Sequence, residues 1–328
     1  MYKTMSICDV EMDIDEIASK IVGAGVLPVT VSHQNKIEVL LGKEHFVHNW
    51  KSSLKWSSFE GGRKRDESFE NAAAREFVEE SMGVVELDPD GNMTSVENVL
   101  RIIETNRFLA RVVMCVNHNE RQQLFKRYHI MYMIEVPPQY FCPIKFGRKR
   151  IALLQLSTKL LKYNDLINRC IMWGYPFLRE GMIHNDKVIT AITHAHVHHK
   201  KLFVRYKHYN THLVFTQILH TSMQIECAKV YIQWYNMRYD LNKDVQKFNY
   251  LLNAVTVTYN TESFFLNATI NHDFLEKEQI RWWNIDELSF VLDNNGSSMD
   301  QEQFRPYFIP MMKRCVEELR TSSALWET

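Results

Sequence analysis

Little in this chain marks it for a membrane, a disulfide framework or a zinc finger. Its six cysteines (Cys8, Cys115, Cys142, Cys170, Cys227 and Cys315) are widely scattered and form no Cys-x-x-Cys pair. They read as free thiols in a reducing compartment. No apolar run reaches the length of a membrane span. The opening stretch carries Glu11, Asp13, Asp15 and Glu16 where a signal or transit peptide would be basic, so neither is expected. Internal repeats and low-complexity segments are absent, and so is any net charge: 39 Lys and Arg balance 39 Asp and Glu. These absences point to the cytosol or nucleus, with cytoplasmic the expectation, and to no membrane partner.

What is present is ordinary in bulk. A chain of 328 residues with 45% hydrophobic and 24% charged content is expected to be a soluble globular protein of one large or two ordinary domains. The charge balance conceals a segregation. Between Tyr140 and Asn260 there are seventeen Lys or Arg against six Asp or Glu, an imbalance that attracts polyanions.

Residues 61–84 are the most informative stretch. Ser68 is a good helix N-cap, Glu70 suits the first turn, and Ala72, Ala73 and Ala74 are strong helix formers. Phe69, Ala72, Ala73 and Phe77 form an apolar stripe. Gly83 is expected to close the helix at the position just past its cap. The helix so defined puts Glu76, Glu79 and Glu80 at i, i+3 and i+4 on one face. Like charges at that spacing cost about a few tenths of a kcal/mol per pair. A neutralising partner is therefore expected, and a hard divalent cation with oxygen ligands is the natural one. Ahead of the helix, Gly61 and Gly62 allow the backbone to approach a phosphate closely.

These residues resemble the Nudix box, GX5EX7REUXEEXGU, in which U is a bulky apolar residue. Gly61, Glu67, Arg75, Glu76, Phe77, Glu79 and Glu80 fall at the motif's spacing without a gap. Met82 stands where the motif has glycine, and Gly83 where it has an apolar residue. A helix extended by one residue would account for that shift. The resemblance implies an α/β/α sandwich with a mixed sheet and a hydrolase acting on a phosphoanhydride bond. The substrate would be a nucleoside diphosphate linked to another moiety. It implies Mg²⁺ or Mn²⁺ as cofactor, held by Glu76, Glu79 and Glu80, with Glu79 and Glu80 catalytic. Arg75 is expected to pair with Glu67 and fix the loop against the helix, with Gly61 and Gly62 as structural members. For the general base, Glu276 and Glu278 are the first candidates and Glu135 the next, while a box glutamate could serve instead.

Along the chain, strands are expected at Ile21–Ser32, Lys36–Gly42 and Lys55–Gly61, then at Asn98–Glu104, Arg111–Val116 and His129–Val136, with a turn at Asp88–Asn92. Pro137 and Pro138 end the last of these. Helical spacing of apolar residues follows over Ile151–Asn168 and Thr221–Arg238. Strands return at Phe264–Asn267 and Glu278–Asp286, and Gln303–Leu319 reads as a closing helix. The expected organisation is an acidic segment over 1–19, a first Nudix part over 20–138, a basic and mainly helical insertion over 139–261, and a C-terminal Nudix part over 262–328.

Arg148, Lys149, Arg150, Lys200, Lys201 and Arg205 in the insertion are candidates for gripping a polyphosphate or an RNA backbone, with Phe146, Phe203, Tyr206 and Tyr209 available for stacking. The bland reading is a solvated basic face. His194, His196, His198 and His199 lack the cysteine or carboxylate that would complete a zinc set, so they read as polar surface. Trp50, Trp56 and Trp173 are each open to stacking or core roles. Decapping members of the resembled family, some from large DNA viruses, combine the box with an added basic helical region, which makes the mRNA 5′ cap the favoured substrate. Small nucleotides and diphosphoinositol polyphosphates are the alternatives, as is a non-catalytic nucleotide- or RNA-binding module. If the source is viral, the place is the host cytoplasm.

Overall fold

The computed structural model describes residues 14–87, 94–120, 123–172, 241, 243–246, 254–260, 265–293 and 304–322. The described chain falls into two compact units, one built from residues up to 151 and from 271 on, the other from residues 152–270. The second unit thus begins thirteen residues after the expected limit at 139 and ends nine residues past that at 261. The expected turn at Asp88–Asn92, the helix over Thr221–Arg238, Trp173 and the histidine cluster lie outside the described residues. So do Lys200, Lys201 and Arg205, and most of the acidic opening segment.

In the first unit a single helical turn, α1 (Ile14–Ile17), leads into β1 (Ile21–Val31), followed by β2 (Ile37–Glu44), β3 (Trp56–Ser57) and β4 (Phe59–Gly62). Helices α2 (Phe69–Ser81) and α3 (Val96–Glu104) come next, then β5 (Ala110–Glu120) and β6 (Gln123–Glu135). Helix α4 (Cys142–Met172) begins in this unit. The second unit contains the hairpin β7 (Val255–Asn260) and β8 (Phe265–Ile270), which pair with each other in a separate two-stranded sheet. The strand expected at Phe264–Asn267 therefore belongs to this hairpin and not to the main sheet. Strand β9 (Lys277–Asn284) and helices α5 (Ile285–Asp293) and α6 (Phe308–Ser322) complete the first unit.

Among the described residues the main sheet has seven strands. β1 runs parallel to β6 along one edge, and β6 is antiparallel to β5. On its other edge β1 pairs first with β4, through Gly23–Gly62 to Val26–Phe59, and then with β2, through Val29–Val39 to Val31–Ile37. β2 in turn carries β3 and β9. The alternation of side chains assigns the two faces. Leu27, Val29, Val39, Leu41, Met131, Met133 and Trp283 are buried with Phe308, Met312, Val316 and Leu319 of α6. Val26 faces the opposite way with its partner Phe59, whose ring meets Phe77 of α2 edge-on at 5.5 Å. The result is a mixed sheet with helices on both faces.

One expected strand is a helix. Val96–Glu104 is α3, capped by Ser95, whose Oγ accepts from the Asn98 N–H at 3.2 Å. Its branched residues suggested a strand, but Val99 and Ile103 lie four apart and are the two that the fold buries.

Candidate active site

The box helix forms where its local signals place it. Ser68 Oγ accepts from the Asn71 N–H at 3.1 Å, and Ala72, Ala73, Ala74, Phe77 and Val78 are buried. Its end differs from the expected one. The N–H groups of Met82 and Gly83 return to the carbonyls of Glu79 and Val78 at 3.2 and 3.0 Å, the paired bonds of a Schellman turn. Met82 occupies the left-handed position of that turn, at φ 54 and ψ 26. The helix is thus not extended by a residue. Met82 takes the conformation for which glycine is usual, and its side chain is fully buried.

Arg75 organises one half of the site. Its Nε and Nη2 form a two-pronged pair with Glu67, at 2.8 Å to Oε1 and 3.0 Å to Oε2. Nη2 also donates to the Gly62 carbonyl at 3.0 Å, which ties the loop to the helix. Nη1 donates to Glu76 Oε1 at 2.7 Å and to Glu79 Oε2 at 2.8 Å. Lys64 Nζ lies 3.9 Å from Glu79 Oε1 and 3.5 Å from Asp273 Oδ2. The carboxyl of Glu76 sits directly over Gly61, where a Cβ would come within 2.2 Å of its Cδ.

Glu80 turns inward. Its Oε2 accepts the backbone N–H of Glu60 at 3.0 Å, and Oε1 lies 3.2 Å from Lys277 Nζ, off the line of a hydrogen bond and shut away from solvent. Lys277 is wholly buried and donates to Glu44 Oε1 and to Ser57 Oγ, each at 2.7 Å. Arg305 Nη1 reaches the same Glu44 oxygen at 2.8 Å. Sequence reasoning passed over Lys277, Glu44 and Arg305. Lys277 is separated from Glu44 and Ser57 by 233 and 220 residues, so no local pattern joins them.

The electrostatics divide accordingly. Burial would raise Glu67 and Glu44, but Arg75 and the Lys64 N–H bring Glu67 below the usual carboxylate range, and Lys277, Arg305 and Ser57 do the same for Glu44. Burial pushes Glu76 and Glu79 up despite Arg75, and it pushes Glu80 well up despite Lys277. Glu276 is exposed as a residue, but its carboxyl is raised by partial desolvation and by Glu44 and Asp273, and it bears on both Glu76 and Glu80 as a like charge. The pocket therefore carries acid in excess of its own cations.

The remaining candidates separate. Glu276 stands by the box carboxylates, and its carbonyl accepts the His45 N–H at 2.8 Å. Glu278 pairs with Lys43 at 3.5 Å on the surface, and Glu135 is exposed at the end of β6. Arg148 is exposed, whereas Lys149 donates to the Met82 carbonyl at 2.8 Å and Arg150 to the Lys277 carbonyl at 2.9 Å. Those two basic residues brace the ends of the box helix and β9, a role that the count of charges did not reveal. Phe146 and Trp56 are core, and Trp50 is half-exposed, with the Arg305 guanidinium 5.5 Å from its ring centroid.

The box carboxylates answer the repulsion argument in an unexpected way: Arg75, Lys64 and Lys277 are the cations beside them. Among the described residues no three His, Cys, Asp or Glu side chains are arranged around a common point as metal ligands. The donor chemistry still suits a hard divalent cation, because every candidate ligand is a carboxylate oxygen and Glu80 Oε1 is a buried oxygen without a hydrogen bond. A turn of Glu76 and Glu79 away from Arg75 is what a shared ion would require.

No protein-family model matches the chain, and no curated protein does. Solved structures overlap part of it, and two of them are Nudix hydrolases. One is a Nudix hydrolase from M. Smegmatis, RenU, at 16% identity and a TM-score of 0.24, over 37% of this chain and 63% of that one. The other is a NUDIX hydrolase from Alicyclobacillus acidocaldarius, at 13% identity and a TM-score of 0.20, over 36% of this chain and 70% of that one. The chain thus spans less than two-thirds of the length of the first. Likenesses this partial indicate a distant similarity and carry no argument about chemistry.

Proposed function

We propose that the chain is a divalent-metal-dependent hydrolase of Nudix type that cleaves a phosphoanhydride bond, with a nucleoside diphosphate linked to another moiety as substrate. The observation that supports this reading best is the Glu67–Arg75 fork, which locks a glycine loop against a helix carrying three carboxylates. Glu76, Glu79 and Glu80 are the residues that would hold Mg²⁺ or Mn²⁺. When bound, such an ion neutralises phosphate oxygens and acidifies the attacking water. Glu276 is the preferred general base because it is exposed to solvent while its charge bears on both Glu76 and Glu80 of the box. Glu278, held by Lys43, is the second choice.

The favoured substrate is the 5′ cap of mRNA, because the excess of Lys and Arg between 140 and 260 suits an RNA backbone. Arg148, together with Lys200, Lys201 and Arg205, is proposed to supply that grip. Lys149 and Arg150 are less available, being engaged with main-chain carbonyls. A cytoplasmic setting goes with this reading. Small nucleotides and diphosphoinositol polyphosphates are the alternative substrates.

A second reading, a non-catalytic nucleotide- or RNA-binding module, is favoured by one observation: Arg75 already occupies two of the three box carboxylates. The two readings separate on incubating the full chain and Mg²⁺ or Mn²⁺ with capped RNA, dinucleoside polyphosphates, nucleotide sugars and diphosphoinositol polyphosphates. Release of a guanosine diphosphate from RNA, lost in Glu79→Gln and Glu80→Gln, is the expected result. Cleavage retained in both variants would sink the metal assignment.

A further inference from the structure

A lysine with no exposure needs an explanation. Burying a cation is costly, and replacing a buried ion pair by apolar residues of similar volume is often neutral or stabilising. Lys277 nevertheless threads its whole stem under β2 to reach Glu44, Ser57 and Glu80 at 2.7, 2.7 and 3.2 Å. The passage exists because residue 42 has no side chain: a Cβ on Gly42 would lie 2.9, 3.0 and 3.1 Å from Cδ, Cγ and Cε of Lys277. Around its ammonium, Glu44 and Glu80 supply two acids and Arg305 a second cation. Glu80 is held from its other oxygen by the Glu60 N–H at 3.0 Å. Four parts of the sheet and the box helix thus meet at one buried ionic knot, and the box helix contributes its most deeply buried carboxylate.

We propose that Lys277 is a positioning residue for Glu80: it fixes the rotamer of that carboxylate from below and so sets how well the box holds a divalent cation. This rests on the reading of Glu80 as a metal ligand. Lys277 touches no substrate, and its action passes entirely through Glu80, with Glu44 and Ser57 as its own anchors. Residues that orient a ligand from outside typically change metal affinity about 10–100-fold when removed.

The test is Mn²⁺ affinity, measured as free Mn²⁺ by electron paramagnetic resonance on the full chain. Wild type should bind, Glu80→Gln should not, and Lys277→Met should bind about 10–100-fold more weakly. Gly42→Ala keeps every charge but obstructs the lysine stem, and it should weaken binding in the same direction. It also decides the matter if Lys277→Met fails to fold. Excess Mn²⁺ should restore turnover in either variant, which a merely unfolded fraction would not show. Wild-type Mn²⁺ affinity in Gly42→Ala and in folded Lys277→Met would overturn the proposal. Equal binding, or none, by wild type and Glu80→Gln would instead bring down the metal reading and this inference with it.

Discussion

Arg75 and Glu67 meet as a fork, Nε to Oε1 at 2.8 Å and Nη2 to Oε2 at 3.0 Å, across eight residues of chain. The guanidinium then spends its remaining nitrogen on Glu76 and Glu79. A single side chain thereby closes the loop and restrains two acids.

Arg75→Lys should therefore not behave as a conservative change. A point-like ammonium cannot serve both Glu67 oxygens, the Gly62 carbonyl and two further carboxylates together. The expected loss is about 2 kcal/mol of stability, read as the shift in urea midpoint at constant slope. A midpoint equal to wild type would mean that the fork is ornamental.

Lys149 offers a pH signature. Burial holds its ammonium down to about 8, below the range of a free lysine. Above that value the unfolded chain still keeps the proton while the native chain has released it. Stability should then rise with pH from about 8 to about 10.5, the folded and unfolded values for this group. Urea titrations at both ends of that window should show the rise in wild type and a flatter profile in Lys149→Met. Identical slopes would assign the proton elsewhere.

Ser95→Ala tests the helix that looked like a strand. Loss of the cap to the Asn98 N–H should cost about 1 kcal/mol, measurable by thermal unfolding. No change would mean that burial of Val99 and Ile103 alone holds α3.

These elements show where reading by sequence succeeds and where it stops. The box helix was readable because its signals are close together: the Ser68 cap, three alanines, and acids at helical spacing. The strands at Ile21–Ser32, Lys36–Gly42, Arg111–Val116, His129–Val136 and Glu278–Asp286 were readable from short branched runs set between turns. The single strand expected at Lys55–Gly61 instead divides into β3 and β4, which pair with β2 and β1. α3 was not, since Val, Leu and Ile favour strands until tertiary burial chooses one face. Placement of β7 and β8 depended on pairing partners, which local pattern does not name. The knot around Lys277 was invisible: attention fell on its acidic neighbours Glu276 and Glu278, while its partners lie more than two hundred residues away in the case of Glu44 and Ser57.

Met82 holds two constraints at once. Its dihedral angles lie in the left-handed region that glycine enters most easily. A non-glycine residue bears a backbone penalty of about 1 kcal/mol in that region, set here against a thioether packed entirely out of water. Any residue placed at 82 must satisfy the left-handed backbone and fill the buried volume together, so glycine there would relax the turn and leave a void in its place.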